Sequence, residues 1–310
     1  MAMLLDRDGS TAAGGHLVAA AASITAETVA TMLREAAGMP FLALSEERCE
    51  ALELSPIGAG GDMMVTIEAR RGTTTGISAS DRALTMRVGA GAAYTAVDVV
   101  KPGHVLPIRV PADRLLSRPD PAAVALELAA LAGSPGGVTL CQVLDASGAP
   151  AAGERLEELA EELGIPLADC REVVENRLRA TPLVTRDGDE RILDTAIGPL
   201  RCVTYRGHDG ARHFALVHGD PARPEPIHVE TVIQDPPLDA FAADADEARP
   251  RAALTAMAAA RRGVLLYLAP GEREDEGPDA AIARSRRAHL IRQILRDLGV
   301  AAITAEPGAD

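Results

Sequence analysis

Residues 73–82 read Thr-Thr-Thr-Gly-Ile-Ser-Ala-Ser-Asp-Arg. Ser80-Asp81-Arg82 opens a helix directly behind a threonine-rich, glycine-broken loop. The hydroxyls of Thr74, Thr75 and Ser78, the backbone N–H groups, the Asp81 carboxylate and the Arg82 guanidinium meet at that junction. Such a junction suits a phosphate or a polyol. The same residues also make an ordinary capped helix start, and spacing alone leaves both readings open. A second stretch, Lys101-Pro102-Gly103-His104-Val105-Leu106-Pro107-Ile108-Arg109, sets His104 between a glycine and an apolar strand. A histidine so placed serves as an acid/base group or a hydrogen-bond donor to substrate, unless it is structural.

Working outward from these two stretches, strands and helices alternate. Residues 1–16 read as a short strand followed by a loop. Thr25 caps a helix whose apolar face is Val29, Met32, Leu33 and Ala36, closed by Gly38 and Pro40. Residues 41–44, 63–67 and 138–143 read as strands. Asp120-Pro121 is an N-cap and first-turn pair for a helix running to Gly133. Helices over 154–163 and 171–178 complete the first half. The pattern turns polar across 179–190, so two domains are expected, 1–180 and 181–310. In the second half, strands are expected at 198–205, 213–218, 227–232 and 264–268. Helices are expected at 251–261 and 286–298, with a solvated acidic run at 271–277. This order gives an α/β (α+β) fold, with a mixed sheet flanked by helices in each domain.

Composition narrows the function classes. Against 31 basic residues stand 45 acidic ones, a net charge of −14, which argues against a nucleic-acid or anionic-membrane surface. Six aromatic residues and no Trp leave few stacking platforms for bases. Lys101 is the only lysine, so Schiff-base chemistry has one internal candidate, whereas arginines able to grip phosphate are many. Four scattered cysteines have neither metal-ligand nor disulfide spacing. Without a membrane-length apolar run or a signal-peptide pattern, the cytoplasm is the expected location.

The two opening stretches together resemble 3,4-dihydroxy-2-butanone-4-phosphate synthase, which acts on ribulose 5-phosphate in riboflavin biosynthesis. Ala129-Ala130-Leu131-Ala132-Gly133, Gly137-Val138-Thr139-Leu140-Cys141 and Leu44-Ser45-Glu46-Glu47-Arg48 extend the resemblance over about residues 15–180. The second half is similar to GTP cyclohydrolase II. Gly198-Pro199-Leu200-Arg201, Ala215-Leu216-Val217-His218-Gly219-Asp220, Arg262-Gly263-Val264-Leu265-Leu266-Tyr267-Leu268 and Gln293-Ile294-Leu295-Arg296-Asp297-Leu298-Gly299 carry that similarity. The resemblance implies a homodimer whose synthase sites use residues from both subunits, with Arg118 facing the partner's threonine-rich loop.

It also implies metals whose ligands are missing from their expected places. The synthase family holds Mg²⁺ with an acidic loop near its N-terminus and a histidine further on. The aligned stretches here are Ser10-Thr11-Ala12-Ala13-Gly14-Gly15-His16 and Arg118-Pro119-Asp120-Pro121. His16 thus stands at an aspartate position, Pro121 at the metal-binding histidine and Gln142 at a late catalytic glutamate, while Arg118 keeps a phosphate-contacting position. The cyclohydrolase family holds Zn²⁺ with three cysteines, against His228-Val229-Glu230-Thr231 and Asp244-Ala245-Asp246 here. Asp-x-Asp in place of Cys-x-Cys is read as a solvated acidic loop. The family's guanine-nucleotide loop is replaced by residues 269–277, so GTP ring opening is not expected.

The expectation is a divergent family member acting without a metal or other cofactor on a small polar or phosphorylated substrate. His16, His104 and Asp81 are its candidate catalytic residues, His16 pairing with His104 in a metal-free acid/base site. Thr74, Thr75, Ser78, Arg82 and Arg118 are its candidate substrate contacts. The alternatives are a catalytically dead protein that binds a flavin precursor or a partner protein, and a true synthase with relocated acidic residues.

Overall fold

The computed structural model describes residues 1–6, 14–58, 61–235, 249–260, 262–270 and 280–304. The chain divides into two compact units, the first built mainly on the residues up to Arg177 and the second mainly on those from Leu178.

In the first unit the described strands are β1 (Ala2–Asp6), β2 (Gly14–Ala20), β3 (Phe41–Ser45), β4 (Ile67–Ala69), β5 (Val99–Val110), β6 (Val138–Gln142) and β7 (Leu167–Asp169). They form one mixed sheet in the order β4-β5-β3-β6-β2-β1-β7. Alternation divides its side chains between two faces. Met3, Leu5, Leu17, Leu42, Leu44, Cys141 and Val143 point to one core, where they meet Val29 and Met32 of the first helical segment, Ala83 and Met86 of α3 and Leu156 and Leu159 of α6. Leu4, Val18, Ala43 and Leu140 alternate with these and are equally buried. The helices are α1 (Ala26–Thr31), α2 (Glu46–Ala51), α3 (Ala79–Ala90), α4 (Arg114–Ser117), α5 (Pro121–Leu131), α6 (Glu154–Glu162) and α7 (Cys170–Ala180).

The expected caps at Thr25 and Asp120 are present: Thr25 accepts from the Thr28 N–H and Asp120 from the Ala123 N–H. Three expectations are corrected. The residues expected as a strand and loop supply β1 and β2, which pair antiparallel with Leu4 opposite His16. His16 is therefore in the sheet, because Met3-Leu4-Leu5 and Leu17-Val18 bury together. At 63–67, Met63 and Met64 make only isolated bridges, to Ile108 and Pro56, and the strand proper is Ile67–Ala69. The helix after Thr25 loosens into a π turn over Met32–Ala36, which ends on Ala37 at φ 56°.

α3 carries the 73–82 junction at its start and is clamped at its end. Arg48, 9% exposed, donates to the carbonyls of Gly89 (2.7 Å), Val88 (3.1 Å) and Tyr94 (2.8 Å). A cation there satisfies carbonyls left open by the helix and meets the negative end of its dipole.

In the second unit, β8 (Val184–Arg186), β9 (Arg191–Thr195), β10 (Gly198–Gly207), β11 (Arg212–His218), β12 (His228–Ile233) and β13 (Gly263–Leu268) form a sheet ordered β12-β13-β11-β10-β8, with β9 also on β10. Strand alternation again sorts two faces. Val264, Leu266 and Leu268 pack with Ile291, Ile294 and Leu295 of α9 (Ala280–Asp297), and Leu265 packs with Ala253 and Met257 of α8 (Arg249–Ala259).

Candidate functional site

Asp81 is 4% exposed and gathers the loop before α3 around one oxygen. Its Oδ2 accepts from the Thr74 hydroxyl (2.8 Å), the Gly76 N–H (3.0 Å) and the Thr74 N–H (3.2 Å). The Thr74 hydroxyl, followed by the two backbone donors, holds the Asp81 carboxyl below the usual carboxylate range. An ionised group so engaged orders the loop and has little left for moving a proton. Ser78, not Ser80, is the helix cap: its Oγ accepts from the Asp81 N–H at 3.1 Å and lies 2.8 Å from Ser80 Oγ. Thr75 is exposed, and its hydroxyl makes no hydrogen bond among the described residues. The Arg82 Nε is buried and has no partner among them either.

The ordered loop rests on His104. His104 Nδ1 lies 2.8 Å from Glu68 Oε2, and Gly76, at φ +79°, sits so close that a Cβ there would overlap both atoms. Glycine is needed here for its backbone conformation and for its missing side chain. With Nδ1–H donated to Glu68, Nε2 is the nitrogen left to accept a proton. The His104 side chain is 41% exposed, so substrate can reach it, while Glu68 beneath is 15% exposed. Sequence reasoning missed Glu68. Its only signal was a carboxylate within the otherwise uncharged run Val65-Thr66-Ile67-Glu68-Ala69. Lys101, the one Schiff-base candidate, donates its ammonium to the carbonyls of Leu52 and Glu53, each at 2.6 Å.

His16 does not join His104. In the sheet register His16 stands opposite Gln142, Leu140 opposite Phe41, and Phe41 opposite Leu106. His104 precedes Leu106 by two residues, so the two histidines lie at one level of the sheet but three strands apart, about 14 Å between backbones. That separation excludes a direct proton exchange between them within one chain. His16 is 9% exposed, and burial, partly opposed by Asp6, pushes its pKa down to about 4.

At the positions where the resemblance expects Mg²⁺ donors stand His16, Gln142 and Pro121, and Pro121 opens α5 as its first-turn proline. The described residues hold no cluster of three His, Cys, Asp or Glu side chains able to grip a cation. Part of the aligned acidic loop, 7–13, lies outside them. Arg118, exposed at the end of α4, follows a fixed stem. Arg114 pairs with Asp62 and, at 3.7 Å, with Asp120, while Arg109 pairs with Asp62 at 3.4 Å and Glu46 at 3.5 Å.

The second unit does not fit a thiolate zinc site. Beyond residue 180 the only cysteine is Cys202, buried in β10. Where the cyclohydrolase pattern has its first cysteine, Thr231 has a buried hydroxyl without a partner among the described residues, and nearby His228 Nε2 lies 2.9 Å from Glu230 Oε1. Asp244, Asp246 and the acidic run 271–277 lie outside the described residues. None of the described helices is long and apolar enough to cross a membrane.

Comparison with known proteins agrees with this architecture. The family model for 3,4-dihydroxy-2-butanone 4-phosphate synthase matches residues 1–176, and that for GTP cyclohydrolase II matches residues 186–284. A 3,4-dihydroxy-2-butanone 4-phosphate synthase of Pseudomonas aeruginosa is 33% identical over 308 residues, covering 92% of this chain and 84% of that protein. The riboflavin biosynthesis protein RibBA of Mycobacteroides abscessus is 33% identical over 302 residues, covering 91% of this chain and 70% of that one. A crystal structure of RibBX, a two-domain 3,4-dihydroxy-2-butanone 4-phosphate synthase from A. baumannii, superposes with a TM-score of 0.77 at 29% identity. It covers 97% of this chain and 87% of that one. The chain therefore belongs to the 3,4-dihydroxy-2-butanone 4-phosphate synthase family, with a GTP cyclohydrolase II domain fused behind the synthase domain as in the bifunctional riboflavin-biosynthesis proteins.

Proposed function

We propose that this protein is a divergent enzyme of its family that binds a small phosphorylated or polyhydroxylated substrate in the first unit and transfers a proton there without a divalent cation. The observation that carries this reading is the His104–Glu68 pair under the Asp81-ordered loop. Glu68 fixes the imidazole and stabilises the imidazolium formed when Nε2 takes a proton from a substrate carbon or hydroxyl. Thr75, Arg82 and Arg118 supply donors for hydroxyl and phosphate oxygens, Thr74 and Ser78 hold the loop in shape, and Asp81 is a positioning residue. His16 acts, if at all, separately from His104. The site is completed across a two-fold axis in a homodimer, and neither nucleic acid nor membrane is a partner.

The loss of ligands in both units favours one alternative, a protein that binds a flavin precursor or a partner protein and catalyses nothing. Isothermal titration of ribulose 5-phosphate into protein treated with EDTA, repeated with Mg²⁺, separates these. Equal binding in both conditions supports a surviving phosphosugar pocket. Binding that requires Mg²⁺, together with formate release, points instead to a true synthase. Absence of binding in either condition removes the phosphosugar and favours the non-catalytic role.

A further inference from the structure

We propose that Asp62 is a positioning residue of the first unit: through Arg114 it holds Arg118 where that guanidinium meets the phosphate of the substrate. This rests on the proposed binding of a phosphorylated substrate there, and adds the group that orients its phosphate contact.

Asp62 is itself firmly mounted. Its carbonyl accepts the Arg109 N–H at 2.7 Å, Met63 bridges Ile108, and the Met64 N–H donates to the Pro107 carbonyl at 2.9 Å. The backbone around Asp62 therefore follows β5. From this mount the carboxylate meets two guanidinium groups. Oδ2 accepts from Arg114 Nη2, and Oδ1 lies 3.4 Å from Arg109 Nη2. Glu46 engages Arg109 from its other nitrogen, Nη1, at 3.5 Å. Arg114 is held a second time by Asp120, whose Oδ2 lies 3.7 Å from Nε while Oδ1 caps α5 through the Ala123 N–H at 2.9 Å. The Asp62 and Arg114 side chains are half-buried, so their pair is less screened than one on the open surface.

Arg118 needs such an anchor. α4 spans four residues, about one turn, and a single turn does not hold its own shape. Its N-cap, Asp113, makes no side-chain capping bond. Contacts from outside the helix must fix it, and Asp62 grips its first residue. Arg118 is tied to that same residue, since its N–H donates to the Arg114 carbonyl at 3.0 Å. Two residues further on, Asp120 returns to the Arg114 guanidinium. Arg118 thus stands in a bracket, 114–120, whose two ends meet at Arg114. Of the two carboxylates on Arg114, Asp120 belongs to the bracket, and Asp62 is the one that joins it to β5. Loosening that joint lets the exposed Arg118 side chain drift, and a charged contact displaced by about 1 Å loses much of its worth.

The test titrates ribulose 5-phosphate calorimetrically into full-length wild type, Asp62→Asn, Arg118→Ala and the double variant, with urea unfolding of each alongside. Asp62→Asn should bind about fivefold more weakly than wild type, and should add less than about twofold to the loss caused by Arg118→Ala. A general loosening of the unit would instead weaken binding in both backgrounds, and that additive result overturns the assignment. So does an unchanged affinity in Asp62→Asn, even if its stability falls. If Arg118→Ala binds too weakly to titrate, the same comparison on Arg114→Ala decides. If Asp62→Asn does not fold, Arg114→Lys replaces it, keeping the charge but losing the forked contacts, and an unchanged affinity there is equally fatal. Absence of binding by wild type removes the phosphosugar and this assignment together, whereas wild-type binding that the variants retain in full removes this assignment alone.

Discussion

His16 shows how burial changes the chemistry available to a side chain. Burial in β2 holds its pKa near 4, against 6.5 for the free side chain. It is therefore neutral at physiological pH and can accept a hydrogen bond or a proton, but it holds no proton to give as an imidazolium. The same shift makes stability depend on pH with a definite sign. Above pH 6.5 folded and unfolded chains both carry a neutral ring, so its contribution is complete. Between 6.5 and 4 the unfolded chain binds a proton that the folded chain refuses. Stability therefore falls with pH, by about 3 kcal/mol from this residue alone. Urea unfolding of wild type and His16→Gln at pH 7 and pH 4.5 checks this. Wild type should lose most of that amount between the two pH values and the variant should lose clearly less. Equal losses would mean that the histidine is hydrated. Sequence reading found His16 and His104 but could not find their separation, since that depends on which strands lie between them. Glu68 stayed hidden for a related reason: its partner is 36 residues away, and only the pairing of β4 with β5 unites them.

At the scale of elements, local signals were readable and long-range pairings were not. Thr25, Asp120 and Gly133 mark helix ends through bonds or backbone angles that neighbouring residues determine, and they stand where the sequence placed them. β1 and β2 carry no local signal that places them, and their place in the sheet comes from β7 and β6, partners far along the chain. The decisive element is the loop 73–76 with α3 behind it, fixed at its start by Asp81 and at its far end by Arg48. Gly76→Ala tests how tightly this assembly bears on His104. The substitution forces a side chain into φ +79° and into the space of Glu68 and His104, whereas Gly133→Ala meets φ +74° with nothing within 4 Å. Both should cost the strain of a left-handed residue, about 1–3 kcal/mol. Only Gly76→Ala should cost more and also abolish ribulose 5-phosphate binding, as read by denaturant unfolding and titration calorimetry. If both variants bind the sugar phosphate alike, the loop is not part of the site.

At the scale of the molecule, the question is whether one chain contains a whole site. Arg118 ends α4 and the threonine loop precedes α3, two elements that the sequence separates by more than thirty residues, and Arg118, Thr74 and Thr75 are exposed. Half-buried Leu106, two residues along β5, lies on the same face of the sheet as His104, with half-buried Phe41 opposite it, and Met63, bridged to Ile108, is 51% exposed. An apolar surface adjoining a polar site is what a two-fold partner would cover, and an isologous contact would bring Arg118 of one subunit toward the loop of the other. Mixing tests this directly. His104→Ala and Arg118→Ala, each purified alone, should bind ribulose 5-phosphate poorly. When the two are mixed and allowed to exchange subunits, half of the dimers are hybrids. Each hybrid holds one site with both residues intact and one with neither, so about a quarter of the wild-type sites should return. A site contained in a single chain gives a different result, because every copy in the mixture still lacks one of the two residues and no binding is recovered.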